Sequence, residues 1–211
     1  MARDLSKHSL IYYKQKTYAI PIPPSPLPVY LDKWPLASIK VMELVCIMAG
    51  PIIGTTLAAL GADFTRVNCS QLPDFNLIQD ADIFVQGYRP GMIAPKGFSL
   101  DNLLEMTGKR GKGIMYMEEY YCGLNGPIVE RPGGSLGFKD GTYVLPALPV
   151  PDMLTGLVGA IGVMKAIRDR ACESGSHHVF AFLMTAAALH LKPGVELFSP
   201  KVVEECNQKF K

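Results

Sequence analysis

Residues 44–62 carry no charged side chain, and a run of that length would cross a bilayer. Gly50-Pro51 breaks the run near its middle, and Gly54 and Gly61 follow. A strand, a tight turn and a helix account for this pattern better than a membrane span does. Ile39–Cys46 is rich in β-branched and apolar residues. Pro51 suits the first position of a helix, which then runs over Pro51–Leu60, and Gly61 suits its C-terminal end. The apolar stretches at 153–164 and 179–189 are too short to span, so no membrane partner is expected.

The same alternation recurs along the chain. Phe64–Val67 and Ala81–Val85 are short strand candidates, the second followed by a turn at Gly87–Gly91. Asp101–Met106 reads as helix and Gly113–Met117 as strand. Residues 119–148 are irregular, with Pro132, Gly133, Gly134, Pro146 and Pro149. Met153–Ala171 carries a long helical pattern, and Val179–Leu183 reads as a strand leading into Thr185–Leu191. Strands alternating with helices imply parallel pairing by right-handed crossovers. The expected fold is α/β, a Rossmann-like parallel sheet flanked by helices. Ile39–Cys46 should be an inner strand, because Val41, Leu44 and Val45 make it apolar on both faces.

Residues 1–35 look different. Lys7, Lys14 and Lys16 precede a proline cluster at Pro21, Pro23, Pro24, Pro26 and Pro28, which fixes φ and removes donors. The expected plan is an extended proline-rich arm over 1–35, the α/β unit over 36–195 and a tail over 196–211.

Several functions are excluded. With 48% hydrophobic and 19% charged residues among 211, the chain can bury a core and is not disordered. A net charge of +2 is too mild for a nucleic-acid partner. The short basic run Lys109, Arg110 and Lys112 reads as a solvated turn. The cysteines at 46, 69, 122, 172 and 206 form no CxxC pair, which suits free thiols in a reducing compartment. A cytoplasmic location is expected; a mitochondrial one is the alternative, weakened by scarce arginine and Asp4. No histidine has zinc-ligand spacing to a cysteine, so no metal is expected. His177-His178 would point to opposite faces of a strand and cannot chelate together; they read as a strand edge. GxGxxG, GxSxG and HExxH are absent, and Gly113 follows Lys112 where a P-loop needs Ser or Thr.

Four segments in order resemble the family III CoA-transferases, which include formyl-CoA and carnitine CoA-transferases and the α-methylacyl-CoA racemases. They are IKVMELVCIMAGPIIGTTLAALGADFTRVN (39–68), DADIFVQGYRPGMIAPKGFSLDNL (80–103), GLNGPIVERPG (123–133) and VPDMLTGLVGAIGVMKAIRDR (150–170). The first and fourth are similar to fungal members. The resemblance implies the first, large domain of that family, acting on acyl-CoA and carboxylate substrates with no permanently bound cofactor. It also implies that Asp152 attacks an acyl-CoA thioester and passes through an aspartyl-CoA thioester. By residue type, Asp152 also suits a plain helix cap, where N–H bonds and the helix dipole favour its ionised form.

Further roles follow from the same resemblance, each beside a plainer one. Arg89 lies where the family contacts CoA phosphates, or is a solvated turn residue. Gly50 and Pro51 open a helix whose free N–H groups could hold a pyrophosphate, or simply start it. Gly123, Gly126 and Pro127 form a loop suited to an oxyanion, or a simple turn. Arg131 belongs to the same site or pairs with a neighbour. Gly156, Gly159 and Gly162 allow close packing, or leave room for the pantetheine arm. The racemase histidine has no counterpart, since none lies between His8 and His177. Cys46 stands where the family usually has arginine.

The chain also departs from the family by omission. It passes directly through CSQLPDFNLIQ after Asn68, is short between Gly133 and Pro149, and lacks the family's second half. The expectation is a truncated or internally deleted member: a CoA-transferase, or an impaired remnant acting only as a CoA-binding or interaction module. Family members resemble interlocked homodimeric rings, and the shortened chain is not expected to close one. Apolar surface on the Asp152 helix should then be exposed.

Overall fold

The computed structural model describes residues 11–16, 24, 34–45, 48–67, 75–120 and 149–189, with 201, 205 and 208. Among them are strands β1 (Ile11–Lys16), β2 (Lys40–Leu44), β3 (Asp63–Arg66), β4 (Ile83–Gln86), β5 (Met115–Tyr120) and β6 (Ser176–Phe182). The helices are α1 (Ala49–Ala59), α2 (Phe75–Asp80), α3 (Leu100–Gly108), α4 (Val150–Glu173) and α5 (Leu183–Leu189).

The strands form one sheet in the order β1-β6-β5-β4-β2-β3. β3, β2, β4, β5 and β6 are parallel, with Val41 opposite Ile83 and Phe84 opposite Tyr116. β1 runs antiparallel to β6 at the edge, Tyr13 opposite Val179. Residues 11–16, expected within the extended arm, are extended and pair with β6.

Side chains alternate across the sheet, and both faces are covered. Val41, Val45, Ile83, Val85, Met115, Met117 and Val179 face one way, onto Ile53 and Leu57 of α1 and Val163 and Ile167 of α4. Met42, Leu44, Phe84 and Tyr116 face the other way, onto Ile78 of α2 and Leu103 of α3. β2 lies between β3 and β4, an inner strand as its composition implies.

The chain leaves β2 for β3 on one side and returns to β4 on the other, so the order reverses between β2 and β4. In such sheets the ligand crevice lies at that switch point, beyond the carboxyl ends of the strands. One step breaks the expected uniform handedness. β4 to β5 and β5 to β6 run in the same direction, yet α3 and α4 lie on opposite faces. The step through α4 thus has the opposite hand to the others. Residues 121–148 intervene before α4, so this is not a compact β-helix-β unit of the kind that enforces the right hand.

At the amino ends of the strands a buried ion cluster ties α4 to the sheet. Asp82 accepts from Arg170 Nη1 at 2.7 Å and from the Lys40 backbone N–H at 3.1 Å, and pairs with Lys112 at 2.6 Å. Burial alone would raise the Asp82 pKa, but Arg170, Lys112 and the Lys40 N–H outweigh it and hold the carboxyl below its usual range. Within the basic run Arg110 and Lys112 are accordingly structural, while Lys109 stays solvated as expected. Besides Lys112, Arg110 clamps the carbonyls of Gln79 at 2.7 Å and Ala81 at 2.8 Å. His177 and His178 are also buried, in a strand with a neighbour on each side rather than at an edge.

By length and composition α4 would cross a membrane, but half of its most apolar window is buried against the sheet. Its outer side exposes Val150, Met153, Leu157 and Ile161, the apolar surface expected on this helix.

Gly54 of α1 lies over a buried carboxyl. Glu43 is fully buried under the helix and accepts from Arg66 Nε at 2.8 Å. A Cβ at Gly54 would collide with Glu43 Oε2 and the Phe64 ring. Helix propensity alone predicts that Gly54→Ala stabilises by about 1 kcal/mol. The packing predicts the reverse, a net loss of about 1–3 kcal/mol in urea denaturation, because neither buried neighbour can move freely.

Candidate active site

The carboxyl ends of β2, β4 and β5 meet the amino ends of α1 and α4. β2 ends at Leu44 and Val45. Val45 is buried and packs under Gly50, where an added Cβ would stand 2.6 Å from its side chain. α1 begins at Ala49, two residues before the expected start. Pro51 is therefore the third helical residue, still in the first turn, where its missing N–H costs nothing. Met48 precedes the helix with φ 60, a strained conformation for a residue with a side chain, and makes no side-chain cap. Because Pro51 has no N–H and the Ile52 N–H bonds to Met48 O at 3.0 Å, the Ala49 and Gly50 amides are the ones left for a ligand.

β4 hands over to the turn that carries Arg89. Gln86 is buried, and its amide oxygen accepts from the Tyr88 N–H at 2.8 Å, which fixes the start of that turn. The Gln86 amide nitrogen donates to Glu118 at 2.6 Å and to Tyr120 at 3.1 Å. Tyr120 donates to Glu118 at 2.5 Å, and His178 Nε2 meets the other Glu118 oxygen at 2.5 Å. Burial, then the charge of Glu118, raises the Tyr120 pKa. This network lies on the α2/α3 face and is closed to solvent. Arg89 itself is exposed.

Asp152 is the third residue of α4, and Pro149 holds the cap position without a side-chain bond. The capping role expected of Asp152 is thus corrected to one inside the first turn. The helix dipole still favours a negative charge there. α4 approaches α1 closely because Gly156 has no side chain: a Cβ there would stand 2.7 Å from Ala49 O and 2.6 Å from Ile52 Cβ. A Cβ on Gly159 would meet Ile53 at 2.8 Å and Met117 at 2.9 Å. Close packing accounts for both glycines.

Glu119 joins Asp152, and the sequence reading did not single it out. Its carboxyl hangs over Gly87, with Oε2 only 2.9 Å from where a Cβ would be. Burial, and then the negative charge of Asp152, pushes its pKa up to about 7. The structure therefore brings together Asp152, Gly50, Pro51 and Glu119. It places Arg89 on the turn leaving the switch point. Gly123, Gly126 and Arg131 lie outside the described residues. Among the described residues no three His, Cys, Asp or Glu gather as a metal site, and Cys172 is a free, exposed thiol.

No protein-family model matches the chain. An acyl-CoA transferase of Gibberella moniliformis is 37% identical over 255 aligned positions, covering all of this chain and 45% of that protein. The acetyl-coenzyme A transferase nodX of Hypoxylon pulicicidum is 31% identical over 189 positions, covering 70% of this chain and 32% of that one. Formyl-CoA:oxalate CoA-transferases are among the further relatives. A CaiB/BaiF family protein from Brucella suis has a similar fold, with a TM-score of 0.60 at 20% identity over 84% of this chain and 58% of that one. The chain spans about half the length, or less, of the curated relatives it matches. The first alignment is 255 positions long against 211 residues here, so at least 44 positions of that relative have no counterpart within it.

The perturbed carboxyl of Glu119 has a measurable consequence. Folded, it keeps its proton to about pH 7; unfolded, it loses it near the ordinary value of 4.5. The folded state then holds the extra proton between those values, so stability falls as pH rises through that window. Glu119→Gln does not titrate. Its stability relative to the parent should climb between about pH 4.5 and 7, by up to about 3 kcal/mol, and stay level above. Paired urea melts at pH 5 and pH 8 check this, and a pH-independent difference would refute it.

Proposed function

The chain belongs to the family III CoA-transferases, and from that premise we propose that it moves CoA between an acyl-CoA and a carboxylic acid, with Asp152 as the nucleophile. The observation that carries the reading is the position of Asp152. Its carboxylate stands in the first turn of a helix, at the strand-end mouth, close enough to Glu119 to perturb it.

In the proposed sequence an Asp152 oxygen attacks the thioester carbonyl carbon. The C–S bond breaks, the CoA thiolate departs with the electron pair, and a mixed anhydride remains on Asp152. The thiolate then attacks the aspartyl carbonyl and expels the first acid as its carboxylate, leaving an aspartyl-CoA thioester. The acceptor carboxylate attacks that thioester, forming a new anhydride and freeing the thiolate. The thiolate takes the new acyl group, and Asp152 is regenerated. No net proton, metal or redox equivalent is needed. Covalent catalysis here divides one difficult exchange into easier ones.

Arg89 suits CoA phosphate through its paired donors. The Ala49 and Gly50 amides suit an anion on the same molecule, through fewer donors than an ordinary helix start provides. Gly123, Gly126 and Arg131 keep their assigned roles in this reading as oxyanion and substrate contacts. The exposed apolar stripe on α4 is surface available for association with another chain.

A second reading is favoured by the 44 unmatched positions. In it the chain binds CoA through the same elements but does not turn over.

The two readings separate in one experiment. The protein is incubated with acetyl-CoA, quenched in acid and digested, and the Asp152 peptide is examined by mass spectrometry. Exchange of labelled acetate into acetyl-CoA is followed in parallel. The transferase reading expects an acyl or CoA adduct on Asp152, and loss of adduct and exchange in Asp152→Ala. That variant should stay folded, losing at most about 1 kcal/mol of dipole interaction. Exchange that survives it removes Asp152 from the chemistry. CoA binding with neither adduct nor exchange selects the second reading.

A further inference from the structure

β5 ends in two adjacent glutamates that face opposite ways. Glu118 turns to the α2/α3 face, where Gln86, Tyr120 and His178 occupy both of its oxygens. Glu119 turns to the α1/α4 face and makes no hydrogen bond to another described residue. Its Oε2 fills the space that Gly87 leaves by having no side chain, and the Val45 side chain borders the same space at 3.7 Å. That space is the switch point between β2 and β4. Among the described residues, the groups around the carboxyl are Gly87 after β4, Val45 after β2 and Ala181 as its neighbour on β6, all uncharged. Among the described residues, Asp152 of α4 is the charged group that reaches it.

We propose that Glu119 is the second acidic group of the site: Glu119 and Asp152 form a carboxyl–carboxylate pair holding one proton, and the protonated Glu119 is the hydrogen-bond donor that receives the carboxylate of the acceptor acid. The proposal rests on the reading of Asp152 as nucleophile. Two carboxylates within electrostatic reach of each other in a partly dry mouth cannot both ionise cheaply. The helix dipole favours the charge on Asp152, and burial against the sheet favours the proton on Glu119. The division suits the chemistry. An ionised carboxylate attacks, while a neutral carboxyl donates a charge-assisted bond to an incoming anion that a second negative charge would repel.

Gly87 has a part in this arrangement. Gly87→Ala would place a methyl group where Glu119 Oε2 lies and push the carboxyl out of the mouth, while the backbone there lies outside the left-handed region and tolerates alanine.

The test follows the Glu119 side-chain carboxyl by carbon-13 NMR across pH in the full chain, with acetate as the acceptor probe. Asp152→Asn should lower the Glu119 midpoint by up to about one pH unit, and Gly87→Ala should lower it independently. Acetate should shift the Glu119 resonance saturably at pH 6 and not at pH 9, where the donor proton is gone. A midpoint insensitive to Asp152→Asn overturns the pair. A resonance that acetate leaves in place at pH 6, or moves equally at both values, overturns the donor role. These readouts need no turnover. Failure of the nucleophile reading is seen separately, as an unlabelled Asp152 beside an intact pair.

Discussion

The site depends on how closely α4 can lie against α1. Gly156 sets that distance, since any side chain there would drive into Ala49 O and Ile52. Ala49 is also the first residue of α1, so the contact joins the opening turn of α1 to the second turn of α4. It brings the first turn of α4, and with it Asp152, over the ends of β2, β4 and β5. Each glycine costs a helix about 1 kcal/mol against alanine. Here the return is positional, because a wider helix pair would take Asp152 out of electrostatic reach of Glu119.

The other end of α4 is held by charge. Arg170 is 1% exposed and shares Asp82 with Lys112 and the Lys40 backbone. A pair buried this deeply gains little over apolar packing, but removing one partner strands the other and is strongly destabilising. Its value is in register. Asp82 ends the approach to β4, and Gly113 O, which also accepts from Arg170 at 3.1 Å, ends the approach to β5. The helix is therefore fixed along its axis at the amino ends of the strands and fixed in distance by glycine near the carboxyl ends. The sheet's charged groups divide accordingly, with the Asp82 ion cluster at one end and, at the other, a carboxyl without a bonded partner among the described residues.

Most of this architecture was legible because the inner strands are apolar on both faces and proline and glycine mark the turns. β2, β4, β5, β6, α1 and α4 all lie where periodicity puts them, within a few residues. α2 was missed: it is six residues long and follows a proline in a polar stretch that offers no period. Residues 11–16 carry lysines and look like an arm, yet strand pairing satisfies their backbone whatever the side chains. The basic run looked solvated because nothing local shows that Arg110 reaches two carbonyls some thirty residues away. Asp152 was found through a resemblance and lies three positions past the cap it was expected to hold, since proline rather than aspartate holds it. Glu119 carried no signal. A glutamate at the end of a strand looks like a solvated one, and only the sheet order reveals Gly87 beneath it.

Glu43 and Glu119 show why burial alone does not mark a functional carboxyl. Burial raises the pKa of both. At Glu43 the Arg66 guanidinium answers it directly, and the Phe64 ring backs that cation at 5.5 Å. The carboxyl is committed to joining β2 and β3 beneath α1. At Glu119 no cation answers among the described residues, and the charge that reaches it has the same sign. Above neutral pH the fold must bear two like charges together, a cost that packing Glu119 elsewhere would have avoided. A fold that bears such a cost at the switch point of its sheet, beyond the carboxyl ends of its strands, has placed it where a ligand can use it.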